Sequence, residues 1–99
     1  MAIERLVGLF VTNEELYGKY REEMFPILQR YKGGFGYDFK VSKVLKSEVD
    51  ESINRVFTIF FESEALMNGF FSDEKYLDIR NKYYEPSVSA TTVISKYER

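Results

Sequence analysis

The chain has 99 residues, with 14 basic and 16 acidic side chains, a net charge of −2, and neither cysteine nor histidine. Its length predicts a single domain spanning 1–99. The missing residue types exclude disulfides, thiolate or histidine metal sites, histidine-ligated haem, and catalysis by a cysteine nucleophile or a histidine base. A site for Mg²⁺ or Ca²⁺ made of carboxylates alone stays open, but no Asp-x-Asp-x-Asp-Gly calcium loop is present. We expect no metal and no organic cofactor.

The distribution of charge and of apolar residues bears on partners. Lys and Arg are spread along the chain and interleaved with acidic residues, which argues against nucleic acid and against an anionic membrane surface. No apolar run approaches the roughly 20 residues of a membrane-spanning helix, and the run at 6–11 is too short for a signal peptide. We therefore expect a cytoplasmic protein that binds no membrane.

The chain begins with a predicted strand and a predicted helix. The nearly unbroken apolar run at 3–11 is typical of a strand that is covered on both faces. Apolar residues then recur at helical spacing over 14–31, and Thr12 is expected to cap this helix. Pro26 lies inside the helical pattern, so we expect a kink about one turn before it.

A hairpin of two strands follows the helix. Gly33 and Gly34 are expected to end the helix in the left-handed conformation. Residues 35–45 alternate between apolar and polar, as in a strand with one apolar face. The polar segment 46–53 predicts the hairpin loop, and 55–61 predicts another strand covered on both sides.

Two helices and a strand complete the chain. Ser63 is expected to cap a helix at 64–71, and Ser72 a second helix at 73–84. The β-branched, alternating residues at 88–96 predict the last strand. This order, βαββαβ with a divided second helix, predicts an α+β fold of the ferredoxin-like type, with a four-stranded antiparallel sheet in the order 4-1-3-2.

The octet KGGFGYDF at 32–39 resembles the RNP1 motif of RNA-recognition motifs, and LFVTN at 9–13 resembles its RNP2 partner. In those domains RNP1 lies on the third strand, beside the first, so that aromatic rings of both form one open face. Here the octet opens the second strand, which is an edge in the predicted order. We therefore favour a helix end and a strand start over RNA binding.

The alternation assigns side chains to two faces of the sheet. The face beneath the helices is expected to hold the apolar residues of strands two and three: Tyr37, Phe39, Val41, Phe57, Ile59 and Phe61. The opposite face of the sheet is expected to hold Asp38, Lys40, Thr58, Phe60, Ser89 and Thr91.

Two of these residues are candidates for chemistry. A carboxylate among rings has a raised pKa, so Asp38 is the candidate general base; the alternative is a solvated edge-strand carboxylate paired with Lys40 or Lys43. Thr58 is a candidate for orienting a ligand; the alternative is a hydroxyl that is hydrogen-bonded within the sheet.

The predicted helix 73–84 supplies the remaining candidates. Tyr76, Arg80 and Tyr83 follow one another at spacings of four and three, so they share one helix face. They could grip a small aromatic or unsaturated carboxylate, bidentately through Arg80, while Asp38 takes a proton. The alternative is a packing stripe with Arg80 extended to solvent.

From end to end the chain resembles a bacterial family, domain-of-unknown-function family 1330 of the dimeric α+β barrel superfamily. The resemblance lies in Tyr31–Phe35 after the first helix, in the RVFTIFF strand at 55–61, and in the FFSDEKY turn at 70–76. It implies a homodimer in which two four-stranded sheets close back to back into a barrel.

The resemblance implies no established activity, although superfamily relatives include cofactor-free or haem-dependent monooxygenases, isomerases and dehalogenating enzymes. We expect either a small-molecule-binding protein or cofactor-free enzyme with a cavity between sheet and last helix, or a dimeric interaction module without catalysis. An open pocket of roughly 300 Å³ or more, walled by Asp38 or Arg80, favours the first hypothesis. A closed cavity filled by rings favours the second.

Overall fold

Strands and helices follow one another in the predicted βαββαβ order in the computed structural model, which describes residues 1–99. The elements are β1 (Ile3–Val11), α1 (Glu14–Arg30), β2 (Gly33–Lys40), β3 (Arg55–Phe61), α2 (Glu64–Ser72), α3 (Glu74–Ile79), a π-helical turn (Arg80–Tyr84) and β4 (Val88–Glu98). The strands form one antiparallel sheet in the order β2-β3-β1-β4. This confirms the predicted fold class and strand order.

The helix caps differ from two of the three predictions. Asn13, not Thr12, caps α1, because its Oδ1 accepts a hydrogen bond from the backbone N–H of Leu16 at 3.1 Å. Asp73, not Ser72, caps α3. Ser63 caps α2 as predicted. All of these residues have short polar side chains, so the sequence indicates the start of each helix to within one residue.

In the turn from α1 into β2, glycine is needed because neighbouring atoms leave no room for a side chain. It is not needed for a left-handed backbone. Lys32 takes the left-handed conformation, with φ 55°, whereas both glycines belong to β2. A Cβ on Gly33 would stand 2.5 Å from Leu28 Cδ1 and 3.0 Å from the carbonyl oxygen of Phe60. The predicted left-handed glycine pair is therefore wrong, and close packing explains why glycine is needed.

A bulge in β2 changes the predicted faces of that strand. Phe35 pairs with Ile59, but the next paired residue is Asp38, opposite Phe57, so one extra residue is inserted between them. Beyond the bulge every side chain points to the other side. Asp38 consequently faces the helices, whereas Tyr37 and Phe39 lie on the other side of the sheet, where their rings stack with centroids 5.7 Å apart.

The core lies between the helices and one face of the sheet. Its strand residues are Ile3, Val7, Leu9, Val11, Phe57, Ile59 and Phe61, and these pack against α1, α2, α3 and the π-helical turn. The other face, which we call the open face, has no helix over it and leaves Tyr37 and Phe39 66% and 53% exposed. None of the helices is both long enough and apolar enough to cross a membrane.

Gly33→Ala is expected to lower the free energy of unfolding by about 1–3 kcal/mol, because the added methyl group must displace Leu28 or the β3 backbone. Gly18→Ala is the matched control. Gly18 is an exposed helical glycine with nothing within 4 Å of the added carbon. Its replacement is expected to stabilise the protein by about 0.5–1 kcal/mol. Urea unfolding of both variants measures the two effects, and equal effects would contradict the packing argument.

Candidate functional site

A cavity of about 240 Å³ lies between the helices and the sheet. It is lined by 15 residues, of which 11 are hydrophobic, and they come from all four strands, from all three helices and from the π-helical turn. The charged residues among them are Arg5, Arg21 and Arg80, and no Asp or Glu is included. The cavity is somewhat smaller than the roughly 300 Å³ typical of drug-sized pockets. It therefore suits a compound built on a single ring.

Four tyrosines form the helical side of this cavity. Tyr17 and Tyr20 on α1 face Tyr76 on α3 and Tyr84 in the π-helical turn. The hydroxyl groups of Tyr20 and Tyr76 are hydrogen-bonded to each other at 2.9 Å. The hydroxyl group of Tyr84 is bonded to Thr91 of β4. The wall thus combines aromatic surface with phenolic donors.

Burial raises the pKa values of these phenols, which are protonated at neutral pH even without it. It raises the pKa of Tyr17 to about 12, although the neighbouring Arg21 and Arg55 act in the opposite direction. Burial also raises the pKa of Tyr20, with a further contribution from the adjacent Tyr76. The pKa values of Tyr76 and Tyr84 are raised by burial as well. Each phenol therefore carries a proton that it can donate to an acceptor.

Two of the three guanidiniums in the wall are neutralised by acidic side chains. Arg21 contacts Asp38 with both terminal nitrogens, at 3.1 and 3.2 Å. Arg80 lies 3.4 Å from Glu85. Arg5 forms no ion pair and lies over the ring of Phe71, with its Cζ 4.8 Å from the ring centroid.

Asp38 lies at the edge of this arrangement and not in the cavity wall. Its carboxylate accepts two hydrogen bonds from Arg21 and two from Arg55, at 2.9 and 3.0 Å for the latter. Burial acts to raise the pKa of Asp38, but the hydrogen bonds and charges of Arg55 and Arg21 outweigh it and lower the pKa below its usual value. The expected raised pKa is therefore wrong. An ionised, ion-paired carboxylate is a poor general base.

Two of the three residues that were predicted to share one face of the last helix line the cavity. Tyr76 and Arg80 line the wall, but Tyr84 takes the place expected for Tyr83. The cause is the π-helical turn, in which the N–H of Glu85 bonds to the carbonyl oxygen of Arg80, five residues earlier. Because this turn contains one extra residue, Tyr84 faces the cavity in place of Tyr83. Tyr83 packs, half-buried, against the edge of the core.

Thr58 is not part of this cavity. It is buried on the open face, where its Oγ1 accepts a hydrogen bond from the backbone N–H of Tyr37 at 2.8 Å. This contact holds the bulge of β2, so the hydrogen-bonded alternative describes Thr58. Thr91, expected on the same face as Thr58, lies on the helix side with Tyr84.

Sequence reasoning missed several residues of the wall, although signals for them exist. Arg5 interrupts an apolar strand that is covered by helices, a position where an arginine is unusual. Tyr17, Tyr20, Arg21 and Met24 follow one another at helical spacing on the buried side of α1. No cluster of three or more acidic side chains is arranged to hold a metal ion. Chemically, the wall supplies hydrogen-bond donors and positive charge.

The sheet order and the one-sided helices define a ferredoxin-like α+β protein. No protein-family model matches the sequence, and no curated protein matches it. A protein of unknown function from Rhodopseudomonas palustris is similar in structure, with a TM-score of 0.84 and 18% identity over 99% of this chain and 82% of that chain.

Two further solved structures have the same architecture. A dabb family protein with a ferredoxin-like fold from Mesorhizobium loti has a TM-score of 0.72 and 12% identity, over 99% of this chain and 96% of that one. A putative antibiotic biosynthesis monooxygenase from Bacteroides thetaiotaomicron has a TM-score of 0.62 and 13% identity, over 99% and 87%. At such identities the likeness establishes the fold alone.

Asp38→Asn is expected to lower the free energy of unfolding at neutral pH by about 1 kcal/mol, because the amide loses the charge that pairs with Arg21 and Arg55. The estimate is small because the carboxylate is 33% exposed and screened by solvent. Since the folded state lowers the pKa of Asp38, the stabilisation is complete above the unfolded pKa of about 3.9. It is lost as the pH falls through the lower folded pKa.

Urea unfolding of the wild type and of this variant, from neutral pH down to about pH 2.5, measures the difference. Asp50→Asn is the control, because Asp50 is an exposed loop residue without an ion pair. A gap between wild type and Asp38→Asn that stays constant down to the lowest pH would contradict the assignment.

Proposed function

We propose that this protein binds a small organic anion, an aromatic or unsaturated carboxylate, in the cavity between its sheet and its helices. The observation that carries the proposal is the composition of the wall: rings, three guanidiniums and no carboxylate. Since Arg21 and Arg80 are paired with Asp38 and Glu85, the charge that remains in this wall is that of Arg5, and it favours an anion over a cation. The apolar majority of the wall favours a flat, conjugated body over a highly polar one.

Tyr76 and Arg80 support this proposal from the last helix, and Tyr84 joins them. The salt bridge between Arg80 and Glu85 is half-exposed, so its partner exchanges at little cost for a ligand carboxylate. The rings of Tyr76 and Tyr84 supply stacking surface beside it.

We propose that the cavity binds this anion, and we propose no catalysis. A cofactor-free enzyme needs a group that exchanges a proton near neutral pH. Asp38 was the candidate for this role, but its four hydrogen bonds to two arginines keep it ionised and occupied. The interaction module without catalysis is the second candidate function, and the exposed aromatic residues of the open face favour it.

We further propose that the protein is a homodimer, closed through the open faces of two sheets. Tyr37, Phe39 and Tyr97 are exposed there without a covering helix. Beside them runs a groove lined largely by apolar residues of the 41–53 loop and of β3 and β4. A stable interface of this kind needs to bury about 1,200 Å² or more in total, and the open face together with this groove offers apolar surface for it. Dimerisation and the resemblance to domain-of-unknown-function family 1330 are consistent with each other.

A thermal-shift screen of small organic acids tests the binding proposal. At least one aromatic or unsaturated carboxylate is expected to raise the melting temperature of the wild type. Arg80→Ala is expected to weaken that acid by roughly tenfold, because one charged hydrogen bond is lost. Arg30→Ala removes the same charge from an exposed site away from the cavity and is the control. If no acid stabilises the wild type, the interaction module replaces this proposal.

Light scattering at roughly ten-micromolar protein tests the dimer. The wild type is expected at twice the chain mass of 11.7 kDa. Phe39→Lys places a charge in the proposed interface and is expected to yield monomer. Phe25→Lys changes an exposed ring on α1, 41% exposed against 53% for Phe39, and is expected to leave the dimer intact. A monomeric wild type would overturn this part of the proposal.

A further inference from the structure

Arg5 is the guanidinium in the cavity wall that no acidic side chain neutralises. Arg21 and Arg80 each contact a carboxylate, whereas Arg5 takes part in no ion pair. Its Nε is buried, and no protein atom accepts a hydrogen bond from it. Buried donors without acceptors are costly and rare in folded proteins, and a guanidinium cannot escape the cost by losing its charge. The position therefore indicates a ligand that supplies the acceptor.

The surroundings of Arg5 offer it no alternative partner. Its guanidinium lies over the ring of Phe71, which accepts no ordinary hydrogen bond. The neighbouring residue across the sheet, Lys96, carries a like charge and is itself paired with Glu64 at 3.1 Å. Arg5 is thus held in place by a cation–π contact while its hydrogen-bonding edge stays free.

The Tyr20–Tyr76 pair supplies a second donor without an acceptor. Two hydroxyl groups carry two protons, but the single bond between them at 2.9 Å uses only one. The remaining phenolic proton has no other acceptor among the hydrogen bonds of these two residues, and both side chains are buried. Since both tyrosines line the cavity, that proton is available to a bound molecule.

Phe71 brings the two donors together. Its ring contacts the guanidinium of Arg5 and packs edge-on against the ring of Tyr76, with centroids 5.9 Å apart. Phe71 thus connects Arg5 with the Tyr20–Tyr76 pair, and all of these residues line the same cavity. The guanidinium of Arg80 lies over Tyr84, 5.3 Å from the ring centroid, and Tyr84 packs against Tyr20 with centroids 5.0 Å apart.

We propose that Arg5 is the anchor of the ligand's carboxylate and that the spare phenolic proton of the Tyr20–Tyr76 pair donates to the same group. The inference rests on the proposed function and adds to it the residue that makes the cavity select an anionic ligand. The Nε–H and Nη–H of an arginine form a fork that matches the two oxygens of a planar carboxylate. Arg80, which is partly neutralised by Glu85, is then a second and weaker cation for the same carboxylate.

The experiment compares two acids with their neutral amides: benzoate with benzamide, and trans-cinnamate with cinnamamide. Dissociation constants are measured by calorimetry on the wild type and on Arg5→Gln. The variant is expected to weaken the acids by about ten- to a hundredfold and to leave the amides within about twofold, because only the acids use the charged fork. Arg30→Gln, which removes an exposed charge of the same sign, is expected to change neither.

Two additional variants distinguish the bidentate geometry of Arg5 from its charge and test the phenolic hydroxyl groups. Arg5→Lys keeps the charge but lacks the fork, so an intermediate loss is expected, and it replaces Arg5→Gln if that variant fails to fold. Tyr20→Phe with Tyr76→Phe removes both phenolic protons and is expected to weaken the acids by roughly three- to tenfold. Either single change leaves one hydroxyl free to donate and is expected to have a smaller effect.

The outcomes distinguish this inference from the function on which it rests. Binding of an acid to the wild type with undiminished affinity in the Arg5 variants overturns the anchor and leaves the proposed function standing. An acid that loses no more affinity than its amide in Arg5→Gln also overturns the anchor. Failure of both acids to bind the wild type removes the anchor together with the proposed function.

Discussion

The hydrogen bond from the backbone N–H of Tyr37 to the Thr58 hydroxyl, at 2.8 Å, holds the bulge on which the arrangement of both faces of the sheet depends. Gly36 permits this bond, because a Cβ at that position would stand 2.5 Å from the Thr58 oxygen. The bulge reverses the side-chain direction of the rest of β2. Without it, Asp38 would lie on the open face, and Tyr37 and Phe39 would compete for space in the core.

The reversal has an electrostatic consequence beneath the helices. Asp38 arrives beside Arg21 and Arg55, and its four hydrogen bonds join α1, β2 and β3 at the edge of the sheet. This carboxylate forms ion pairs at the sheet edge, and the cavity wall itself contains no acidic side chain. Arg5, further along the core face, then has no acidic partner within reach of an ion pair. Arg5 is therefore the one guanidinium of the wall without an acidic partner.

We propose a different role for each face of the sheet. The helix side holds an aromatic cavity with unsatisfied donors, which we associate with a small anion. The open side presents stacked rings without a cover, which we associate with a second copy of the chain. The π-helical turn contributes to the cavity, because its extra residue places Tyr84 in the wall. The hydroxyl group of Tyr84 can then bond to Thr91. Such turns often occur at functional sites.

The sequence by itself determined the order of elements, three of the four strands and the helix starts to within one residue, because periodicity and capping are local properties. It also placed Tyr76 and Arg80 on one helical face. Only the tertiary structure decided the face of Asp38, the exchange of Tyr83 for Tyr84 and the isolation of Arg5. A bulge and a π-helical turn each insert one residue, and what stabilises them lies in contacts such as Thr58 with Tyr37 and Tyr84 with Thr91. The partner of a buried charge likewise depends on which strands meet, and that is not encoded in any single segment.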